Sequence, residues 1–218
     1  MFDPLLRRRG PAITLGTGLY AITNGPRADL LEATQAALLG GARVLQYRDK
    51  STDATRRLHE ARALAQLCAG FEVPLIINDD VELADASGAA GVHLGEGDVG
   101  ITVARARLGA EAIIGVSCYD SLQRAREAAD AGADYIAFGS FFPSPTKPQA
   151  RRATTELLRE AKAFELTMVA IGGITSENGG PLIQAGADYL AAISAVFGAT
   201  DIRAAARDFT TLFQTRSP

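Results

Sequence analysis

Short apolar runs alternate with longer amphipathic segments through the whole chain. The runs are rich in β-branched and aromatic residues, which is typical of buried strands. They predict eight strands, which begin near Leu19, Val44, Leu75, Val92, Ile113, Tyr135, Met168 and Tyr189.

The segments between these runs repeat apolar residues at spacings of three and four, which predicts amphipathic helices. Residues 53–70 show this spacing, and so does the last segment, from Ile202 to Phe213. Glycines stand where the helices are expected to end, and a strand follows each of them soon afterwards. These glycines are Gly40, Gly41, Gly88, Gly132 and Gly186.

Two of the predicted helix-to-strand turns have almost the same sequence. Residues 131–137 read AGADYIA and residues 185–191 read AGADYLA. In both, a glycine, a small residue and an aspartate lead into a strand. The similarity indicates one βα unit that is used repeatedly, although its spacing is too irregular for a solenoid.

Eight strands that alternate with eight helices predict a parallel sheet with helices outside it. Eight such units close into a barrel, so we expect an α/β fold with a single (β/α)8 TIM barrel over residues 1–218. Residues 1–17 would be an N-terminal extension or first helix. An open doubly wound sheet is the alternative, but residues 23–28 (TNGPRA) lack its glycine-rich dinucleotide motif.

Composition and charge indicate which kinds of molecule the chain binds. The chain of 218 residues has a net charge of −3, which argues against nucleic acid as its main partner. No apolar stretch reaches the ~18 residues of a membrane span. Cys68 and Cys118 lie far apart without metal-ligand spacing, as expected of a reduced, cytoplasmic protein. We expect small-molecule substrates and no membrane partner; the sequence leaves open whether the chain forms a homo-oligomer.

The second predicted strand ends in the polar residues Gln46-Tyr47-Arg48-Asp49-Lys50. Strand side chains alternate, so Gln46, Arg48 and Lys50 share one face. In a barrel of this kind the chemistry lies where the strands end. Two cations and an amide at one place suit a diphosphate, whereas the simpler interpretation is a set of solvated charges.

Two carboxylates follow the third and fourth strands, at Asp79 and Asp98. Neighbouring strands would bring them together, and a hard divalent cation would relieve their repulsion. Ligation by oxygen alone indicates Mg²⁺, which commonly bridges carboxylates and substrate phosphates. The alternative is that Asp79 or Asp80 caps the helix expected over residues 81–87. His59 and His93 have no metal spacing, and we expect both to be structural.

Hydroxyls, glycines and a lysine follow the later strands. Ser117 ends the fifth strand, where it could donate to a phosphate or cap the next helix. Gly173 follows the seventh strand, where main-chain N–H groups commonly bind phosphate. The loop after the sixth strand is stiffened by prolines and carries three groups that suit a phosphate: Ser144, Thr146 and Lys147. The residues alone therefore indicate two phosphate-bearing ligands.

Ordered motifs at these strand ends resemble the thiamine-phosphate synthase (thiamine-phosphate pyrophosphorylase) family, from Gly18 to Phe213. The motifs are QYRDK at 46–50, IND at 77–79, GVHLGEGD at 91–98, GVS at 115–117, PSPTK at 143–147, IGGI at 171–174 and the serine at 194. The resemblance implies a transferase that joins a hydroxymethylpyrimidine diphosphate to a thiazole phosphate and releases diphosphate. With a carboxylated thiazole, CO₂ is lost as well.

The resemblance also implies roles for individual residues. The pyrimidine diphosphate would be held by Gln46, Arg48, Lys50, Asn78, Ser117 and Lys147. The thiazole phosphate would be held by Ser144, Thr146, Gly173, Ile193 and Ser194. The metal ligands would be Asp79 and Asp98, with Mg²⁺ as the cofactor. Catalysis would rest on Arg48, Lys50, Ser117 and Lys147, which stabilise a departing diphosphate.

The chain departs from the family pattern at a few positions. Glu96 and Gly97 stand where a glutamine and an acid are more frequent, so we expect extra negative charge near the metal. Ser144 replaces a frequent threonine and keeps the hydroxyl. Residues 139–152 are expected to form a lid over the substrate. Two alternatives stay open: a thiazole tautomerase-like isomerase on the same barrel, and a non-catalytic phosphate-binding barrel.

Overall fold

The computed structural model describes residues 16–143 and 152–214. In this part of the chain, eight parallel strands close into a barrel in chain order. The strands are β1 (Gly18–Ile22), β2 (Ala42–Tyr47), β3 (Leu75–Asn78), β4 (Gly91–Leu94), β5 (Ile113–Tyr119), β6 (Tyr135–Phe138), β7 (Thr167–Ile171) and β8 (Tyr189–Ala192). The predicted (β/α)8 barrel is confirmed.

Helices cover the outside of the barrel. They are α1 (Leu30–Leu39), α2 (Ala54–Gly70), α3 (Val81–Ser87), α4 (Ile101–Leu108), α5 (Leu122–Ala131), α6 (Thr155–Ala161), α7 (Gly180–Ala185), α8 (Ser194–Phe197) and α9 (Ile202–Gln214). A 3₁₀ turn, Lys162–Phe164, extends α6. The described residues thus contain nine α-helices where eight were expected, because the chain after β8 forms the short α8 and then α9.

Most residues of the strands are buried on both faces, which explains why the strands are nearly continuous apolar runs. One apolar cluster fills the barrel and a second lies between the barrel and the helices. Tyr135 enters the barrel beside Gly115, where a Cβ atom would lie 1.8 Å from the tyrosine ring. A glycine at this position therefore makes room for a large ring inside a narrow barrel.

The repeated turn has the same hydrogen bonds in both copies. The Asp134 carboxylate accepts the Ile114 N–H at 2.7 Å, and the Asp188 carboxylate accepts the Met168 N–H at 2.9 Å. Each aspartate thus ties the start of its own strand to the start of the preceding one. The prediction of a reused βα unit is confirmed at these two turns.

The predictions on membrane spans and on the extent of the domain concern the whole chain, which the structure describes only in part. No helix within 16–143 and 152–214 has the length and apolar character needed to cross a membrane. Residues 1–15 of the predicted N-terminal extension lie outside the described ranges. That residues 1–218 form one domain therefore stays a prediction.

Candidate active site

At the end of β2, successive side chains point in opposite directions. The Tyr47 hydroxyl donates to Glu60 on α2 at 2.6 Å, and Asp49 pairs with Arg56 of the same helix at 2.7 Å. Gln46 points the other way and is buried inside the barrel, where its Nε2 donates to the Tyr20 hydroxyl at 3.0 Å. The alternation predicted for this segment is therefore present.

The two cations of this segment act on a carboxylate at the end of β3. Lys50 Nζ lies 3.9 Å from Asp79 Oδ2, and the Lys50 side chain is 65% exposed. Burial, together with the Asp98 carboxylate, raises the pKa of Asp79, while the charges of Lys50 and Arg48 oppose that rise. Lys50 is thus solvated, as the simpler interpretation held, but it is also directed at the carboxylates.

Asp79 and Asp98 lie side by side, as predicted. Asp79 has a φ of 66°, which is uncommon for a residue other than glycine, and its N–H donates to the His93 carbonyl at 2.8 Å. Asp98 accepts the Gly95 N–H at 2.6 Å. The helix cap is Asp80, whose carboxylate accepts the Leu83 N–H at 2.9 Å. The idea that Asp79 caps α3 is therefore wrong.

The paired carboxylates fit a magnesium ion. Their oxygens lie within hydrogen-bonding reach of each other, and the Asp98 carboxylate contributes to the raised pKa of Asp79. Among the described residues, no group of three or more histidine, cysteine and acidic side chains could enclose a metal. Mg²⁺ needs no such cage, because it keeps several waters and uses one or two carboxylates with substrate phosphates.

Ser117 contacts a histidine; it lies two residues before the end of β5, since that strand continues to Tyr119 and does not end at Ser117 as predicted. Its Oγ lies 2.8 Å from His93 Nε2, and His93 Nδ1 lies 2.9 Å from the Tyr135 hydroxyl. The helix-cap alternative for Ser117 is wrong, because Ser121 caps α5 by accepting the Arg124 N–H. His93 was expected to be structural, and the structure places it in direct contact with a candidate site residue.

The turn after β7 lies against the loop after β6. Gly172 and Gly173 both have positive φ values, and a Cβ on Gly173 would lie 2.5 Å from the Pro143 carbonyl oxygen. The Phe142 N–H donates to the Gly172 carbonyl at 2.9 Å. No side chain larger than hydrogen fits at Gly173 without moving this loop.

The remaining predicted residues lie at the same edge or outside the described ranges. Asn78 is the last residue of β3 and is paired in register with His93. β8 ends at Ala192, so Ile193 follows the strand and Ser194 begins α8. Three residues lie outside the described ranges, together with most of the predicted lid: Ser144, Thr146 and Lys147.

Sequence reasoning missed three residues that contact the site. Tyr20 and Tyr135 contact Gln46 and His93 inside the barrel. Arg124 of α5 donates to the Ser117 carbonyl at 3.4 Å and pairs with Glu96 at 3.3 Å. A signal for the tyrosines exists, since a hydroxyl in a buried strand needs a partner. Glu96 thus has a guanidinium partner, and the effect of its charge on the metal stays a prediction.

Comparison with known proteins gives a consistent result. Residues 19–196 match the family described as thiamine monophosphate synthase. The thiamine-phosphate synthase of Thiobacillus denitrificans is 54% identical over 203 residues, covering 92% of this chain and 96% of that protein. The thiamine-phosphate synthase of Marinobacter nauticus is 52% identical over 206 residues, covering 92% and 93%.

The fold also agrees with a solved structure. The thiamine phosphate pyrophosphorylase of Pyrococcus furiosus superposes with a TM-score of 0.81 at 35% sequence identity. The alignment covers 91% of this chain and 96% of that one. Both sequence and architecture are therefore shared over nearly the full length.

Proposed function

This chain belongs to the thiamine monophosphate synthase family, and we propose that its barrel mouth carries out the synthesis of thiamine phosphate. The reaction joins 4-amino-2-methyl-5-(diphosphooxymethyl)pyrimidine to a thiazole phosphate or its carboxylated form and releases diphosphate. The enzyme is a transferase that acts on small molecules. The buried, unpaired thiols of Cys68 and Cys118 are compatible with a cytoplasmic location, which we also propose.

One observation carries the proposal: charged and polar groups from β2 to β5 converge at the carboxyl ends of neighbouring strands. Lys50 Nζ lies 3.9 Å from Asp79 Oδ2, the Asp98 carboxylate lies beside Asp79, and the positive charge of Arg48 acts on the Asp79 carboxylate. Cations and paired carboxylates together suit a magnesium-bound diphosphate, since the acids alone would repel it. Packing of the barrel core alone does not account for the proximity of these cations and carboxylates.

We assign Asp79 and Asp98 as the residues that would hold Mg²⁺. When bound, the ion supplies positive charge to the oxygens of a departing diphosphate. Arg48, Lys50 and Lys147 would neutralise the same anion, and Ser117 would donate a hydrogen bond to it. Asn78 and Gln46 would complete the pocket for the pyrimidine diphosphate.

The thiazole phosphate would lie on the opposite side of the mouth. Ser144, Thr146 and Ser194 would supply hydroxyls there, and Gly173 and Ile193 would supply main-chain groups. In the reaction, the pair of electrons of the C–O bond leaves with diphosphate, and the thiazole nitrogen then forms the new C–N bond. The protein aligns the two partners and stabilises the leaving charge.

Covalent catalysis by a thiol has no support at this site. Burial raises the pKa of Cys118 to about 12, so its thiol stays protonated near neutral pH. Its Sγ atom instead donates weakly to the Val116 carbonyl at 3.6 Å. A dissociative substitution that needs no covalent enzyme intermediate agrees with this environment.

The decisive experiment mixes both heterocyclic phosphates with the protein and Mg²⁺ and measures thiamine phosphate and diphosphate. We expect both products in equal amounts, and no product in excess chelator. Conversion of a thiazole phosphate isomer without pyrimidine would instead indicate a tautomerase. Binding of the phosphates without turnover would indicate a sensor. Full activity in excess chelator would exclude the metal assignment.

A further inference from the structure

A continuous series of hydrogen bonds crosses the interior of the barrel. It starts at Gln46, whose Nε2 lies 3.0 Å from the Tyr20 hydroxyl. The Tyr20 and Tyr135 hydroxyls lie 2.7 Å apart, and Tyr135 lies 2.9 Å from His93 Nδ1. The series ends where His93 Nε2 meets Ser117 Oγ at 2.8 Å. Two candidate site residues, Gln46 and Ser117, are therefore joined through three buried side chains.

The number of available hydrogens favours one common direction for all these bonds. Each hydroxyl has one hydrogen, and a neutral imidazole has one N–H. Every buried hydrogen finds an acceptor within the series only if all four bonds donate the same way, because a reversal would make one tyrosine hydroxyl accept twice and leave its own hydrogen without an acceptor there. His93 is buried and both of its ring nitrogens contact hydroxyls, an environment that favours a neutral ring because a buried charge without an opposite charge is costly.

The amide of Gln46 sets which direction is present. Its N–H donates to Tyr20, so Tyr20 donates to Tyr135 and Tyr135 donates to His93 Nδ1. The ring proton of His93 then lies on Nε2 and is donated to Ser117 Oγ. At the two ends of the series, the Ser117 hydrogen and the Gln46 carbonyl oxygen are not used within it and are available to a ligand.

We propose that Tyr20, Tyr135 and His93 are positioning residues that fix Ser117 as a donor to an anionic oxygen and Gln46 as an acceptor for a ligand N–H. This inference rests on the proposed function, in which Ser117 faces a diphosphate and Gln46 faces an aminopyrimidine. An anion at Ser117 selects the same direction, because only that direction leaves the serine hydrogen free. The two ends of one substrate are then recognised jointly.

Burial alone does not explain the series. A third tyrosine, Tyr189, also lies inside the barrel and packs edge-on against Tyr20, with ring centroids 6.4 Å apart. Its buried hydroxyl has no hydrogen-bond partner among the described residues. The barrel therefore tolerates an interior tyrosine without such bonds, and Tyr189 provides a matched control for the other two.

The first test reads the tautomer of His93 directly by nitrogen NMR of protein labelled with ¹⁵N-histidine. The chain has only two histidines, so the variant His59→Gln assigns the spectrum. In the presence of Mg²⁺ and inorganic diphosphate we expect His93 to carry its proton on Nε2. A proton on Nδ1, an exchanging mixture of the two tautomers, or a doubly protonated ring would overturn the proposal.

The second test compares Tyr135→Phe with Tyr189→Phe, which each remove one buried hydroxyl. We expect Tyr135→Phe to lower kcat/KM for the pyrimidine diphosphate by about 10–100-fold, as loss of a supporting partner commonly does. The KM for the thiazole phosphate should not change, and Tyr189→Phe should behave like the parent. Equal effects in both variants would refute the series as a positioning device.

A second variant and the activity of the parent protein separate failure of this inference from failure of the proposed function. If Tyr135→Phe does not fold, Tyr20→Phe breaks the series one bond earlier and is held to the same expectation. A parent protein that makes no thiamine phosphate contradicts the proposed function, whatever the tautomer. An active parent with the His93 proton on Nδ1 contradicts only the inference made here.

Discussion

The two sides of the barrel mouth present different chemical groups: charged side chains on one side and main-chain turns at glycines on the other. The ends of β2 to β5, here called the charged side, present Arg48, Lys50, Asp79, Asp98 and Ser117. The ends of β6 to β8, here called the glycine side, present tight main-chain turns. On the charged side the acids and cations contact one another, as in the 3.9 Å approach of Lys50 to Asp79. On the glycine side, the loop after β6 lies against Gly172 and Gly173.

This difference teaches that the two ligands would be held by different physical means. A diphosphate and a metal need opposite charges, which side chains provide. A monophosphate can be bound by main-chain N–H groups if no Cβ atom blocks its approach. The charged side should therefore be sensitive to loss of charge at constant shape, and the glycine side to a change of shape at constant charge.

The largest expected effect comes from Asp98→Asn on the charged side. The asparagine oxygen can still accept the Gly95 N–H, so the change removes charge and little else. We expect turnover to fall about 100-fold or more, as for other losses of transition-state charge stabilisation. Steady-state rates measured over a range of Mg²⁺ concentrations test this.

Asp80→Asn is the matched control for that change. Asp80 caps α3 and pairs with Arg57 at 3.1 Å, and an asparagine can still cap the helix. We expect normal turnover in this variant. Similar losses at Asp98 and Asp80 would mean that the effect comes from the fold and not from the metal pair.

The second effect concerns Lys147, which follows β6 in sequence but is assigned to the diphosphate. Its residue lies outside the described ranges, so the prediction comes from the sequence. Lys147→Ala should lower turnover by orders of magnitude, similar to other lost electrostatic contacts at leaving groups. Unfolding curves should match those of the parent. Near-normal turnover would remove Lys147 from the site.

A smaller and more selective effect is expected from Gly173→Ala on the glycine side. The added Cβ would meet the Pro143 carbonyl oxygen at 2.5 Å, and φ is 65°. We expect KM for the thiazole phosphate to rise about 10-fold, a loss of about 1.4 kcal/mol, with KM for the pyrimidine diphosphate unchanged.

Gly180→Ala is the control for the glycine side. A Cβ on Gly180 would meet nothing within 4 Å, and the residue lies at the start of α7. An alanine there should leave both KM values unchanged. Equal rises of both KM values in Gly173→Ala would erase the proposed difference between the two sides.

The smallest effect on turnover is expected from Asp49, which pairs with Arg56 of α2 next to the charged side. Burial raises the pKa of Asp49, but hydrogen bonds from Ser51 and the Arg56 guanidinium outweigh it, so the net pKa is lowered. A lowered folded-state pKa stabilises the protein above the ordinary value of 3.8, and this stabilisation is lost as pH falls through the folded-state pKa.

Asp49→Asn should therefore lower the free energy of unfolding at pH 7 by roughly 1–3 kcal/mol. At an acidic pH below the folded-state pKa the difference from the parent should shrink, because Asp49 is then protonated in both states. Denaturant unfolding of both proteins at the two pH values tests the sign. A difference that grows as the pH falls would contradict this account of Asp49.

The sequence alone determined much of this protein. Runs of apolar residues and helical spacings predicted all eight strands and the closed barrel, because these patterns depend on neighbours two to four positions apart. The same alternation placed Gln46 and Tyr47 on opposite faces. Chain order then placed Asp79 and Asp98 on adjacent strands, so that their proximity followed once the barrel was assumed.

Only the tertiary structure decided which groups become partners. Tyr20 and Tyr135 are 115 positions apart, and their hydroxyls meet because the closed barrel directs both rings into one narrow interior. Arg124 pairs with Glu96, 28 positions earlier, by the same kind of long-range contact. Such contacts depend on barrel closure, strand register and the space left by Gly115, none of which a local pattern of residues specifies.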